Sequence, residues 1–187
     1  MKSNNILKCF LFPWAIIVII LISCSLATTW FANKNDGFSR VDVTLSKMKI
    51  TTHSPDRMKE RVVTTDLSKY CDIDENNAKC ILYKGSKATS ALLGVALTLA
   101  IVLCAVAIMS CLRDWEDKGP LTFVYGIISG VGAAFLVIGF VTSTSYSSDF
   151  MDAGYTYHTG WTITLINLIF YVMLSLFFCC IFCATYD

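Results

Sequence analysis

Four apolar stretches free of Asp, Glu, Lys and Arg, residues 9–33, 88–112, 119–148 and 153–186, divide this chain. A helix crosses the hydrocarbon core of a bilayer in about 20 apolar residues, so each stretch is long enough to span. The expected fold is an all-α, left-handed four-helix membrane bundle, with helices over about 9–31, 88–112, 119–145 and 160–184. Hydrophobic residues make up 55% of the chain and charged ones 16%, against about 25% charged in soluble domains, which excludes a single soluble domain. Four spans in 187 residues leave room for one small extramembrane module and none for a separate catalytic domain. The chain is read as one domain, 1–187, with loops at 32–87 and 146–159.

Lys2 and Lys8 precede the first stretch as they would in a secretory signal, but its charge-free run is longer than a cleaved signal's apolar region, and Pro13 and Trp14 sit near its start. A retained helix from Cys9 to about Trp30 is expected. The net charge of +1 gives no electrostatic case for a nucleic-acid partner. Eleven of the fifteen Lys and Arg fall between Lys34 and Lys87, interleaved with eight acids, the pattern of a solvated mixed surface. Lys2 and Lys8 at one end and Arg113 and Lys118 in the second loop place both termini and the 113–120 loop in the cytosol, and the long first loop outside.

Of nine cysteines, only Cys71 and Cys80 lie in the long polar loop, bracketing Asp72, Asp74, Glu75, Asn76 and Asn77. Two lone cysteines in an exoplasmic loop are expected to form a disulfide. A zinc site would need two more ligands, and His53 has no ligand-spaced partner, so no metal is expected. The same loop reads as a small antiparallel sheet. Ser39 to Leu45 and Met48 to Thr52 alternate polar and apolar, Arg61 to Thr65 is β-branched, and Cys80-Ile81-Leu82-Tyr83 supplies a further strand that the disulfide pins to its neighbour.

Within the spans, small residues mark expected close approaches: Gly94 in the second, and Gly126 and Gly130 in the third at the four-residue spacing that lets backbones touch in lipid. No Asp, Glu, Lys, Arg or His falls inside a span, which argues against a proton-coupled transporter or pump. Asn167 is the one strongly polar side chain at depth, and an interhelical hydrogen bond is its expected role. Trp30, Phe31, Phe38, Tyr146, Phe150, Tyr155, Tyr157 and Trp161 cluster at the outer boundary, where an interfacial aromatic belt belongs. Phe150, Tyr155 and Tyr157 are also candidates for partner contact.

The loop before the last span carries Ser148-Asp149-Phe150 and then Gly154-Tyr155-Thr156-Tyr157-His158-Thr159-Gly160-Trp161. This resembles the claudins, in which an acidic-aromatic pair follows the third helix and a glycine, five residues and Gly-Trp open the fourth. Trp30 resembles the family's tryptophan at the end of the first helix, Leu67 the leucine four residues before the first motif cysteine, and Cys80 the second motif cysteine. Lys87-Ala88 stands where claudins often carry a basic residue before small ones, and Cys179, Cys180 and Cys183 resemble their juxtamembrane cysteine cluster. Departures are Asp66 and Ser68 in place of the motif's glycine and tryptophan, a short second loop, and a final Thr185-Tyr186-Asp187 unlike the aliphatic ends that claudins offer to PDZ grooves. The likeness is to a divergent member of the claudin, peripheral myelin protein and calcium-channel γ-subunit superfamily.

The resemblance implies cell–cell adhesion or junctional barrier formation at the plasma membrane, acting through the extracellular sheet on another copy. The alternative is an auxiliary subunit docked laterally on a larger channel or receptor. Neither reading is enzymatic, and no cofactor or small-molecule substrate is expected; the lipid bilayer is the remaining partner. A remote alternative is a thiol–disulfide reductase of the quinone or vitamin K epoxide type, since Cys180 and Cys183 form a Cys-x-x-Cys and Cys71/Cys80 a second couple. The two pairs are expected on opposite faces of the membrane, about 30 Å apart, where exchange cannot occur. Cys179, Cys180 and Cys183 are otherwise candidates for S-palmitoylation, or remain unmodified thiols.

Overall fold

The computed structural model describes residues 3–35, 39–53, 60–73, 77–112, 119–152 and 154–186, with only the backbone described at 3–11, 34–35, 53, 110–112, 119–122, 149, 178–179 and 181–186. The fold is mostly helical. Four long helices, α1 (Ser3–Ala27), α2 (Ala78–Leu112), α3 (Gly119–Ser145) and α5 (Thr159–Tyr186), are joined by a short helix α4 (Ser148–Asp152) and five strands. Three of them carry segments long and apolar enough to cross a membrane, Ala78–Met109, Phe123–Ser145 and Thr159–Phe177; the apolar part of α1 with described side chains runs over Phe12–Ala27. These lengths and compositions mark a membrane protein. Helix α1 packs on α2 and α5, α2 on α3, and α3 on α5, closing a ring of contacts.

The inward face of α2 shows why this helix is longer than expected. Cys80, Leu82, Ser86, Thr89, Leu93, Ala96, Ala100, Leu103 and Ala107 are all buried, a stripe at helical spacing that begins before the charge-free run does. The Asn77 carboxamide oxygen accepts the Lys79 backbone N–H at 2.9 Å, capping the start. Cys80 to Tyr83 is therefore helix and not the strand expected from its composition, and α2 begins ten residues before residue 88. Its short apolar run is ambiguous when read alone; the stripe that continues from it for seven turns is not.

The sheet is antiparallel throughout, in the order β4-β3-β2-β1-β5, with β1 Phe31–Asn35, β2 Ser39–Val43, β3 Lys47–His53, β4 Glu60–Asp66 and β5 Thr156–Tyr157. The three strands expected from Ser39 to Thr65 are present. The first helix stops at Ala27, short of the expected end near residue 31, and β1 follows from Phe31: Trp30 N–H donates to the Val43 carbonyl at 2.8 Å, and Phe31 and Asn33 are buried while Ala32 is half-buried. A continuous apolar run conceals that change from helix to strand. One hydrophobic core, running from Val18, Ile22, Leu93 and Leu136 in the helices to Phe31, Val43 and Met48 in the sheet, makes the two parts a single unit. The turn at Asp74, Glu75 and Asn76 and the 113–118 connection lie outside the described residues.

Candidate interaction site where the sheet meets the helices

Trp30 is the hub of this joint. It is fully buried, its indole Nε1–H donates to the Ser25 carbonyl at 2.8 Å, and its own carbonyl accepts the His158 N–H at 2.8 Å. The Gly160 N–H donates to the Thr29 carbonyl at 2.8 Å, so the start of α5 is tied to the α1–β1 passage by two backbone bonds. A Cβ on Gly160 would stand 2.6 Å from Trp30 Cδ1 and 2.7 Å from its Nε1, so the indole occupies the space that glycine leaves. One turn along α5, the Thr164 hydroxyl donates to the Gly160 carbonyl at 2.8 Å and accepts from Ser25 Oγ across to α1.

An aromatic chain continues from Trp30 into the second loop. Phe31 packs on Phe150 and Tyr157, Phe150 on Tyr155, and Tyr157 stacks on Trp161 with ring centroids 4.5 Å apart; Trp161 rests on Phe140 of α3. Such pairs each contribute about 0.5–1.5 kcal/mol beyond area burial. Gly154 sits at φ +85°, a left-handed conformation that glycine adopts without strain, and reverses the chain from α4 into β5. Strand β5 then pairs with β1 through Phe31↔Tyr157 and Ala32↔Thr156. Trp30 and Gly160, distant in the chain, meet here, with Trp161 beside Gly160 in the aromatic chain and Gly154 in the turn that leads into β5. Leu67 belongs to the same core, fully buried in a 3-10 turn (Leu67–Tyr70) and held by its N–H to the Ser46 carbonyl at 3.1 Å.

Cys71 and Cys80 form the expected disulfide, with Cα atoms 4.8 Å apart. It joins the 3-10 turn to the first turn of α2 rather than pinning two strands. Lys79 Nζ lies 4.4 Å above the Tyr70 ring, a cation–π contact that closes the same corner. Burial, with Tyr70 nearby adding to it, pushes the Tyr155 hydroxyl pKa up.

The three partner-contact candidates separate on exposure. Phe150 is 3% exposed and belongs to the core, which corrects its assignment to a contact surface; Tyr155 is half-buried, and Tyr157 keeps a free edge at 38%. Among the packing glycines, the assignment of Gly94 is corrected. A Cβ on Gly94 would meet nothing within 4 Å, and one on Gly130 would make only ordinary contact with Ser175 Oγ at 3.5 Å. Gly126 flanks the buried stripe of α3 and accepts the Ser129 hydroxyl at 3.0 Å. The tight approaches are elsewhere: the Tyr146 side chain fills the place of a Gly85 side chain, and Tyr171 Cε1 lies 2.5 Å from where a Gly132 Cβ would be. Gly130 faces α5 at ordinary contact distance, beside the buried stripe of α3 that runs through Tyr125, Ser129, Ala133 and Leu136.

Asn167 is likewise corrected. It is fully buried, yet neither carboxamide atom has a hydrogen-bond partner among the described residues, although Thr164 and Tyr171 on the same stripe reach Ser25 and the Ala96 carbonyl. Cys180 is an exposed free thiol near the far end of α5; the side chains of Cys179 and Cys183 lie outside the described residues.

Strand β4 was expected, but its position was not. It ends the sheet order, so one side carries β3 and the other carries no strand among the described residues. Val62 is 47% and Val63 43% exposed, Val63 on the face of Ile50 and Val62 on the opposite face. The far edge differs, because β5 covers the start of β1. No family model matches this chain, and no curated protein matches its sequence.

Proposed function

We propose that this chain is a divergent claudin-like protein with four spans, its sheet outside the cell and both termini in the cytosol, that mediates adhesion or barrier formation at the plasma membrane through a second copy of itself. The observation that carries this reading is the β4 edge, a seven-residue strand paired with β3 on one side and with no strand on the other among the described residues, with two exposed valines. The unpaired N–H and C=O groups of an open strand edge are a template for pairing with another chain. Its support is rigid: the sheet shares its core with the helices and is tied to α1 and α5 at Trp30 and Gly160, so a force on the edge passes to the membrane helices.

A lateral role as an auxiliary subunit is the second reading, favoured by the outer side of α2. There Ala91 and Thr98 are exposed and Gly94 has open space beside it, which gives a shallow face where another helix can approach closely. The reductase alternative has no such support. Cys180 lies twenty-one residues along α5 from Thr159, roughly 30 Å at the rise of an α-helix, while Cys71 and Cys80 sit beside the sheet. Cys180, with Cys179 and Cys183, is better suited to S-acylation at the cytosolic end.

Expression alone in non-adherent cells tests the first reading. Aggregation of those cells, with the protein recovered in mild detergent as oligomers of itself, is the expected result. Cells that stay dispersed, together with a larger membrane protein co-purifying at fixed stoichiometry, would replace it with the auxiliary-subunit role.

A further inference from the structure

We draw no further inference here: the strongest candidate, the orphaned Asn167 carboxamide in the inward stripe of α5 between the Ser25–Thr164 and Tyr171–Ala96 contacts, is so completely enclosed that nothing in the structure shows what it would bind.

Discussion

Gly160 and Gly94 are both glycines in apolar helices, and only their surroundings separate them. Trp30 and Gly160 are each held by a backbone bond across the joint, so neither can retreat from an added methyl. Gly160→Ala is expected to cost about 1–3 kcal/mol, read as a lower Tm in detergent, as overpacking does. Gly94→Ala should leave the Tm unchanged or raise it, because its Cβ enters open space and alanine favours a helix by about 1 kcal/mol. Asn167→Leu should also raise the Tm, since it removes enclosed polar groups that each cost about 1–3 kcal/mol when unpaired. A fall in Tm would mean that the carboxamide has a partner. Tyr155 adds a dependence on pH. Its folded pKa lies above the unfolded value near 10, so above about pH 10 the native state keeps a proton that the unfolded state has lost, and stability declines. Denaturant titrations on both sides of that pH should show a shallower decline for Tyr155→Phe. Trp30, Gly160 and Trp161 stood among the residues singled out from the sequence, and the structure places them at the joint; the sequence could not show that Phe150 is interior, because aromatic character suits a core as well as a surface.

Strands β2 and β3 were legible because alternation with period two survives where one face of a sheet is buried, and β4 because its central residues are β-branched. Two other strands were hidden for different reasons. Strand β1 follows directly on an apolar run and shows no alternation of its own, so it reads as the start of the loop, and the two residues of β5 are too few to carry a period. The start of α2 was hidden by another error, a four-residue apolar run taken as a strand when it opens a long helical stripe. The disulfide holds this start in place. Its cysteines are nine residues apart, and closing a loop of that size is worth about 3 kcal/mol in the chain-entropy treatment. Replacing Cys71 and Cys80 with serine should therefore act locally. Hydrogen exchange is expected to speed up over residues 67–87 while β1 to β3 keep their protection, because those strands are held by one another and by the Trp30 joint. Equal acceleration across the sheet would show that the bridge supports the whole module.

For the whole molecule, the helices and the sheet share one core, β4 ends the sheet among the described residues, and the proposed activity depends on that edge. The double substitution Val62→Lys and Val63→Lys places charge on both faces of β4, the device by which natural sheets block edge pairing. Stability should change by no more than about 0.5 kcal/mol, as for other exposed positions. Cell aggregation and oligomers in mild detergent should be lost; if both persist, pairing does not use this edge. The membrane character, the cysteine pair and three of the strands were determined by the sequence alone, because hydropathy, compartment chemistry and alternation are properties of neighbouring residues along a chain. Only the tertiary structure decided which glycines are close-packed, that β5 caps β1, and that, among the described residues, Asn167 has no hydrogen-bond partner and β4 no second strand beside it. Each of these depends on segments distant in sequence meeting in space: Gly160 on Trp30, Gly132 on Tyr171, and the open side of β4 on the strand order of the finished sheet.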